Sequence, residues 1–327
     1  MALTAKKFGA HLAPIARSAL AACTKYPPLS AIKNPLTRKL VRRVIERDWD
    51  AMKAHLDFDF TLTDATIGGV PCVTYDTTSN VTSDTVILYV HGGAFVAGSA
   101  RANASSVLPA CWLSGARAVA VDYALAPEHT YPEQHNQIER VYQALCDDGV
   151  DPNKIIIIGD SAGANLAITS CLRWRDMGLA LPAGLVLMSG LVDAAGASDT
   201  LFTLRNSDPL ISTTRPDQVT ALYSVYAGAH DPHHPYISAI NADLAGLPPM
   251  LIQVGAREVF LGDSARLAEK ARQAGVDVSL RVFDGMFHLF QMNWSLDETK
   301  AAQKDMAAFI ATHANGVTEG IAGAVAC

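Results

Sequence analysis

Six short apolar runs recur along the chain between residues 85 and 283, and polar or amphipathic stretches separate them. The runs occupy residues 85–90, 117–123, 154–159, 183–190, 249–255 and 278–283. Helical patterns lie between and after them, at residues 105–115, 137–149, 263–275 and 298–313, and directly after Ser161. Continuous β-branched runs that alternate with helices predict an α/β fold, with a mostly parallel central sheet and helices on both of its faces.

The N-terminal part of the chain has a different pattern. Residues 36–56 place apolar side chains along one face of a predicted helix, at Leu40, Val41, Val44, Ile45 and Trp49. Two alternating runs around Gly68-Gly69 then predict a β-hairpin over residues 58–77. We therefore expect an N-terminal helical segment over residues 1–55, followed by the α/β domain over residues 56–327.

Residues 193–247 interrupt the alternation of strands and helices. This segment is rich in Ser, Asp, Thr, Pro and His, and it lies between two predicted core strands. A long excursion at such a place suits a lid better than a separate domain. We expect it to be a cap insertion.

The composition argues against two classes of partner. The 327 residues carry a formal net charge of −6, whereas nucleic-acid binding favours a basic surface. No window approaches the roughly 18 uninterrupted apolar residues of a membrane span. We therefore expect no nucleic-acid partner and no membrane span. The sequence is compatible with a homodimer.

The cysteines and histidines give little support for a metal site. The six cysteines lack CxxC spacing and are better interpreted as small buried side chains than as disulfides. Residues 230–235, HDPHHP, lack helical i, i+4 spacing and contain two prolines, so we interpret them as a polar connector. Residues 20–23 resemble a lipoprotein processing site, but polar residues interrupt the apolar region before it. We expect a cytoplasmic protein without a metal.

The four isoleucines at 155–158 lead directly into Gly159-Asp160-Ser161-Ala162-Gly163, and a helical pattern follows. A serine between two glycines at a strand-to-helix junction is typical of a nucleophile on a strained turn, where bulky neighbours would collide. The N-terminus of the following helix favours negative charge at this place. Taken alone, the pentapeptide also fits a tight turn that begins a helix.

A serine nucleophile needs a base, and the base needs an acid that orients it. Among ten histidines, His288 lies in the loop after the last predicted strand, which a doubly wound sheet places beside the serine turn. Glu258 follows the strand at 249–255 and fits the chain order serine, acid, histidine. Asp263 and Asp284 are alternatives for the acid, although Asp263 also fits a helix N-cap and Asp284 a turn.

A second glycine pair lies in the segment HGGAFVAG, residues 91–98. There a strand ends at His91-Gly92-Gly93, and paired glycines allow backbone N–H groups to face a ligand oxygen. With the N–H of Ala162, the N–H groups of Gly92 and Gly93 would form an oxyanion hole. We interpret His91 as a residue that shapes this loop and not as a base.

These stretches together resemble the hormone-sensitive-lipase-like (bacterial family IV) branch of the α/β-hydrolase fold. The resemblance rests on HGGAFVAG, on DYALAPEHTYP at 122–132, on GDSAG at 159–163, and on GLPPMLIQVGAREVFLGDS at 246–264 leading to DGMFHLF at 284–290. It implies Ser161 as nucleophile, His288 as base and Glu258 as acid, with the oxyanion hole already named. It also implies that residues 1–55 and 193–247 form a helical cap over an acyl pocket.

The chain departs from the family pattern at three positions. Ala94 stands where a third glycine of the oxyanion loop is usual, which is expected to narrow the pocket. Ala124 replaces the arginine of the common DYRLAPE pattern and removes a salt-bridge partner for a nearby carboxylate. Many relatives carry aspartate where this chain has Glu258.

We therefore expect a serine carboxylesterase that hydrolyses short- to medium-chain acyl esters through an acyl-enzyme intermediate, without any cofactor. Two alternatives stay open. A lactone or carbamate hydrolase would use the same residues, because the cap and the pocket lining set substrate preference. A catalytically silent hydrolase fold would bind a small ligand, although such proteins usually lose a member of the triad.

Overall fold

Eight strands form one sheet in the part of the chain that this computed structural model describes, which is Ile32 and residues 34–77, 83–211 and 216–314. The strands are β1 (Thr61–Ile67), β2 (Val70–Asp76), β3 (Val86–Val90), β4 (Arg117–Val121), β5 (Ile155–Asp160), β6 (Gly184–Met188), β7 (Met250–Gly255) and β8 (Val278–Phe283). Their order across the sheet is β1-β2-β4-β3-β5-β6-β7-β8. The predictions for residues 1–31, the processing site included, lie outside the described residues.

The sheet is mostly parallel, as predicted. Strands β3 to β8 all run in one direction, while β2 is antiparallel to both of its neighbours, β1 and β4. The predicted hairpin is confirmed as β1 and β2, which pair from Ile67 opposite Val70 around Gly68 and Gly69. Both glycines have a positive φ, a conformation that this two-residue turn requires and that glycine adopts without strain.

Helices cover both faces of the sheet. They are α1 (Pro35–Asp50), α2 (Leu108–Ser114), α3 (Glu133–Asp147), α4 (Ala162–Asp176), α5 (Thr200–Thr203), α6 (Pro216–Ala227), α7 (Leu261–Gln273) and α8 (Asp297–Ala314). On one face Ile155 and Ile157 share a core with α3, α4 and α7. On the other face Ile156 and Ile158 share a core with α2 and α8. The side chains of a strand point alternately to the two faces of the sheet. Because helices bury both faces here, all four positions are apolar.

Helix α1 departs from the prediction in the face that it buries. Val41 is buried as expected, but Leu40 is 60 % exposed. The inward face instead carries Arg38 and Arg42, which hydrogen-bond to Glu128. Positions 38, 41, 42 and 45 lie on one side of a helix, so turning the arginines inward places Leu40 outside.

The excursion between β6 and β7 contains α5, α6 and a short 3-10 helix at Ala239–Asn241. Its helix α6 contributes Leu222 to a small apolar cluster with Ile32 and Val41 from the N-terminal side. Val96 and Ala126 complete the buried part of this cluster. The N-terminal segment and the excursion therefore pack together on the loop that follows β3.

Two further predictions concern the cysteines and the membrane. Cys72, Cys111 and Cys171 are buried and free, as predicted, and Cys146 is half-buried and free. Within the described residues, no helix combines the length and the apolar character needed to span a bilayer. The homodimer and the cytoplasmic location stay predictions of the sequence.

Candidate active site

Ser161 lies in a strained turn between β5 and α4. Its backbone has φ 52° and ψ −116°, a conformation that costs a non-glycine residue about 1–3 kcal/mol. The flanking glycines leave room for this turn. A side chain at Gly163 would collide with the carbonyl oxygen of Val90, and one at Gly159 would collide with the backbone of Gly163. The predicted steric reason for both glycines is confirmed.

Backbone hydrogen bonds hold the serine turn against the end of β6. The N–H of Ser161 donates to the carbonyl of Met188 at 2.8 Å, and the N–H of Leu191 donates to the carbonyl of Ser161 at 3.1 Å. These bonds offset part of the strain and fix the direction of the serine side chain. Its hydroxyl is nearly buried, because Ser161 is 6 % exposed.

The three side chains predicted to act together lie in one hydrogen-bonded line. Nε2 of His288 is 3.1 Å from Oγ of Ser161, and Nδ1 of His288 is 2.9 Å from Oε2 of Glu258. His288 is 5 % exposed, and Glu258 is fully buried. The N–H of Nδ1 donates a hydrogen bond to the carboxylate, so Nε2 faces the serine hydroxyl as an acceptor.

Neither of the alternative acids contacts His288. Asp284 is exposed, in the turn that follows β8. Asp263 is buried, but α7 begins at Leu261 with Phe260 as its N-cap residue. The interpretation of Asp263 as the N-cap is therefore wrong, since the residue lies inside the first turn of the helix.

The electrostatic surroundings of His288 favour its charged form. Burial lowers the pKa of His288, but the hydrogen bond and charge of Glu258, with the charges of Asp208 and Asp160, outweigh burial and raise it above the ordinary value. A raised pKa means that the imidazolium is stabilised by its surroundings. Such a site can accept the proton of a serine hydroxyl that attacks a carbonyl.

Ser189, directly after β6, is a site residue that the sequence did not reveal. Its hydroxyl donates to Oε1 of Glu258 at 3.0 Å and accepts the N–H of Leu289 at 3.3 Å. The N–H of Gly255 also donates to Oε1. Ser189 and Leu289 both have positive φ angles, 51° and 55°. Ser189 thus connects the acid with the loop that carries His288.

The predicted role of Gly92 needs a correction. Its N–H donates to Oδ1 of Asp160 at 2.9 Å, and the hydroxyl of Tyr89 donates to the same oxygen. Burial raises the pKa of Asp160 to about 6, although both of these hydrogen bonds lower it. Because the N–H of Gly92 already has an acceptor, it is not free to bind a substrate oxygen. The sequence did not identify Asp160 as the residue that holds this loop.

The rest of the loop leaves backbone donors available. Gly93, Ala94 and Phe95 have successive positive φ angles of 119°, 55° and 65°. The N–H groups of Gly93, Ala94 and Ala162 donate to no acceptor among the described residues. The glycine expected at position 94 is thus replaced by an alanine that adopts the left-handed conformation.

His91 is placed to shape the loop and does not contact Ser161. It is buried, its Nδ1 donates to the carbonyl of Gly92 at 2.7 Å, and its ring stacks on Tyr123 with centroids 4.2 Å apart. Burial lowers the pKa of His91. A neutral imidazole held in this way supports the turn that begins the loop.

A carboxylate near Ala124 is paired from a different part of the chain. Glu128 accepts from Nη1 and Nη2 of Arg42 at 2.9 and 2.8 Å, and from Nε of Arg38 at 2.8 Å. Arg42 also donates to the carbonyls of Val96 and Ala126, at 2.6 and 2.9 Å. The two arginines of α1 therefore pair with the Glu128 carboxylate, for which Ala124 offers no charged partner. They also attach α1 to the loop after β3.

The histidine-rich segment at 230–235 contributes nothing to this site. His230, Asp231, His233 and His234 are all exposed. Over the described ranges, the structure contains no group of three or more His, Cys, Asp or Glu side chains arranged to hold a metal ion.

Comparisons with known proteins agree with this fold and geometry. The family model described as the alpha/beta hydrolase fold matches residues 87–292, which is more than half of the chain. An esterase of Acinetobacter venetianus is 40 % identical over 225 residues, which cover 68 % of this chain and 74 % of the relative. An acetyl-hydrolase of Streptomyces hygroscopicus is 31 % identical over 293 residues, covering 84 % and 96 % of the two chains.

Solved structures extend the similarity to the whole domain. An esterase from the bacterial hormone-sensitive lipase family superposes with a TM-score of 0.83 at 29 % identity, covering 92 % of this chain and 98 % of that chain. A hormone-sensitive lipase from a metagenome library superposes with a TM-score of 0.79 at 31 % identity, covering 91 % and 98 %. The chain therefore belongs to the α/β-hydrolase fold family, in its bacterial hormone-sensitive-lipase-like branch, and is a carboxylic ester hydrolase.

Proposed function

We propose that this ester hydrolase is a serine carboxylesterase that cleaves short- to medium-chain acyl esters through an acyl-enzyme intermediate on Ser161. The observation that supports this most is the hydrogen-bonded line from Ser161 through His288 to Glu258, with distances of 3.1 and 2.9 Å. A serine hydroxyl is a weak nucleophile unless a base takes its proton, and this line supplies the base and the acid that orients it.

The reaction has two halves. The hydroxyl oxygen of Ser161 attacks the ester carbonyl carbon while Nε2 of His288 takes the hydroxyl proton. The tetrahedral intermediate collapses, the bond to the alcohol breaks, and His288 returns the proton to the departing alcohol oxygen. In the second half His288 takes a proton from a water molecule, whose oxygen attacks the acyl carbon. The bond between that carbon and Oγ of Ser161 then breaks, His288 returns the proton to Oγ, and the carboxylic acid leaves.

The negative oxygen of each intermediate requires donors, and we assign the N–H groups of Gly93 and Ala162 to this role. Ala94 is the candidate third donor in place of Gly92, because the N–H of Ala94 has no acceptor among the described residues and that of Gly92 does. Ala162 begins α4, so the partial positive charge of the helix N-terminus supports the same oxygen. Losing one such donor typically costs about 3–4 kcal/mol of transition-state stabilisation.

We infer that the N-terminal helical segment and residues 193–247 form the cap over the acyl pocket. Two contacts support this assignment. Val41 of α1 and Leu222 of α6 lie in one apolar cluster with Val96 of the loop after β3. Arg42 of α1 donates to the carbonyl of that same Val96. The two segments therefore lie on the loop that supplies the oxyanion donors.

Rapid-mixing kinetics with a series of p-nitrophenyl esters tests the proposal. We expect a burst of p-nitrophenol equal to the enzyme concentration, turnover that declines for long acyl chains, and loss of both in Ser161→Ala. Ser170→Ala is a matched control, because Ser170 is buried in α4 and its hydroxyl has no partner among the described residues.

Three outcomes would overturn the proposal. A strong preference for lactones or carbamates over open-chain esters would contradict the substrate class. Undiminished turnover by Ser161→Ala would contradict the mechanism. Absence of turnover with every substrate class would contradict both.

A further inference from the structure

Asp208 lies beside the proposed base, although it belongs to the excursion between β6 and β7. Its carboxylate is 1 % exposed, and Oδ2 accepts the backbone N–H of His288 at 3.0 Å. Oδ1 accepts the N–H groups of Leu210 and Ile211 at 2.8 and 3.2 Å. The carboxylate therefore joins two turns of backbone, one in the excursion and one in the loop that carries His288.

Asp208 is also one of three buried carboxylates whose charge acts on His288. The other two are Glu258, after β7, and Asp160, at the end of β5. Burial raises the pKa of Asp208 to about 6, the charge of His288 lowers it, and the charge of Glu258 raises it. Since the interactions of Asp208 and His288 are mutual, an ionised Asp208 stabilises the imidazolium.

The loop that Asp208 holds contains local strain. Leu289, directly after His288, has φ 55° and ψ 33°, which is unfavourable for a leucine. Asp208 holds the N–H of His288 on one side of this bend, and Ser189 holds the N–H of Leu289 on the other. Two side chains from different segments thus fix the orientation of the imidazole.

We propose that Asp208 is a positioning residue for His288, which fixes the backbone of the histidine from the excursion and adds its carboxylate charge to those of Glu258 and Asp160 near the imidazole. The proposal rests on the proposed function, because it requires His288 to be the base. It gives the excursion a part in orienting the proposed base, in addition to its proposed part as a cap.

The pH dependence of kcat/KM separates this role from a purely structural one. Its acidic limb reports the pKa of the base in the free enzyme, since His288 must be neutral to accept a proton. Removing the charge of Asp208 removes an interaction that favours the imidazolium, so the limb moves to lower pH. The histidine also becomes a weaker base, so the plateau falls. Loss of packing or of a hydrogen bond lowers the plateau without moving the limb.

The experiment measures kcat/KM for p-nitrophenyl butyrate from pH 5 to pH 9 in four proteins. For Asp208→Asn we expect a limb shifted down by roughly 1 pH unit and a plateau about tenfold lower. Asp208→Glu keeps the charge and is expected to keep the limb near the wild-type position. Asp263→Asn is the matched control, a buried carboxylate that does not contact His288, and its limb and plateau should equal those of the wild type.

An unshifted limb in Asp208→Asn, or an equal shift in Asp263→Asn, would overturn the proposal. If Asp208→Asn fails to fold, Asp208→Ser decides, because it removes the same charge while its hydroxyl can still accept the N–H of Leu210 two residues on, and the same downward shift is expected. His288→Ala separates the two proposals. If His288→Ala keeps wild-type turnover, the proposed function fails, whereas if it loses turnover and the limb of Asp208→Asn stays in place, only the role of Asp208 fails.

Discussion

The hydroxyl of Ser189 donates a 3.0 Å hydrogen bond to Oε1 of Glu258, and Oε2 of the same carboxylate accepts a 2.9 Å hydrogen bond from Nδ1 of His288. The acid is therefore held at both oxygens. A buried carboxylate needs such partners to stay ionised, because burial alone disfavours its charge. The turn directly after β6 contributes to the geometry of the site although it contains none of the three proposed catalytic side chains.

Ser189→Ala should impair both stability and turnover. It leaves Glu258 with one donor fewer at Oε1 and the N–H of Leu289 without its acceptor. We expect the free energy of unfolding to fall by about 1–3 kcal/mol, together with a lower kcat. Urea unfolding and steady-state kinetics measure the two effects. Ser170→Ala should change neither the unfolding free energy nor kcat. Equal losses in the two variants would show that the hydrogen bonds of Ser189 do not cause the effect.

Glu258→Gln tests the identity of the acid. Glutamine has nearly the same shape but no charge, and its amide can present a donor to Nδ1 of His288, which favours the wrong tautomer. We expect kcat to fall roughly 10³- to 10⁴-fold with little change in KM. Glu269→Gln, an exposed position on α7, should keep wild-type kinetics. A kcat within tenfold of the wild type would assign the acid to another residue.

Arg42→Ala tests the attachment of α1 to the loop after β3. The variant loses the paired contacts with Glu128 and the donors to the carbonyls of Val96 and Ala126. We expect a loss of about 1–3 kcal/mol in unfolding free energy, measured in urea, and faster proteolysis within α1. Arg42→Lys should recover only part of the loss, because lysine lacks the planar fork.

Arg43→Ala is the control for that experiment. Arg43 is exposed and forms no hydrogen bond or ion pair with the residues that the structure describes. Its substitution should leave stability and the proteolysis rate unchanged. An Arg42→Ala variant as stable and as protease-resistant as Arg43→Ala would show that the contacts of Arg42 do not hold the helix.

Asp263→Asn should become more stable relative to the wild type as the pH rises. Burial and the charge of Asp193 raise the pKa of Asp263 from 3.8 to about 8. Between these values the folded state keeps a proton that the unfolded state has lost. The stability that this proton contributes is complete below pH 4 and lost as the pH rises through about 8, whereas asparagine does not titrate.

The size of this effect follows from proton linkage. The difference in unfolding free energy between Asp263→Asn and the wild type should grow in favour of the variant by about 1.4 kcal/mol per pH unit between pH 5 and pH 7. Urea unfolding at these two pH values measures it. A difference that does not change with pH would mean that Asp263 is ionised in the folded protein throughout this range.

The sequence was informative where a residue type is required by local geometry. The turn at Ser161 was predictable because its glycines avoid collisions within the same strand–turn–helix unit. His288 and Glu258 were predictable as candidates because parallel strands bring their carboxyl ends to one edge of the sheet. The four consecutive isoleucines predicted a central strand, because a strand that is buried on both faces has no polar position.

The residues that the sequence did not reveal act over long separations and through irregular backbone. Asp208 reaches His288 by a backbone hydrogen bond across 80 positions, from a segment without periodicity. The acceptor that occupies the N–H of Gly92 is Asp160, 68 positions away. The exposure of Leu40 follows from the pairing of Arg42 with Glu128 across 86 positions. No local pattern encodes such contacts.

Covalent labelling shows directly whether Ser161 is an activated nucleophile. The folded protein is incubated with an excess of a fluorophosphonate, and mass spectrometry then locates the adduct by peptide mapping. We expect one phosphonyl group per chain, on Ser161, with labelling lost in Ser161→Ala and His288→Ala and retained in Ser170→Ala. Folded protein that takes up no label, or that carries it on another residue while Ser161 stays free, would show that Ser161 is not the nucleophile.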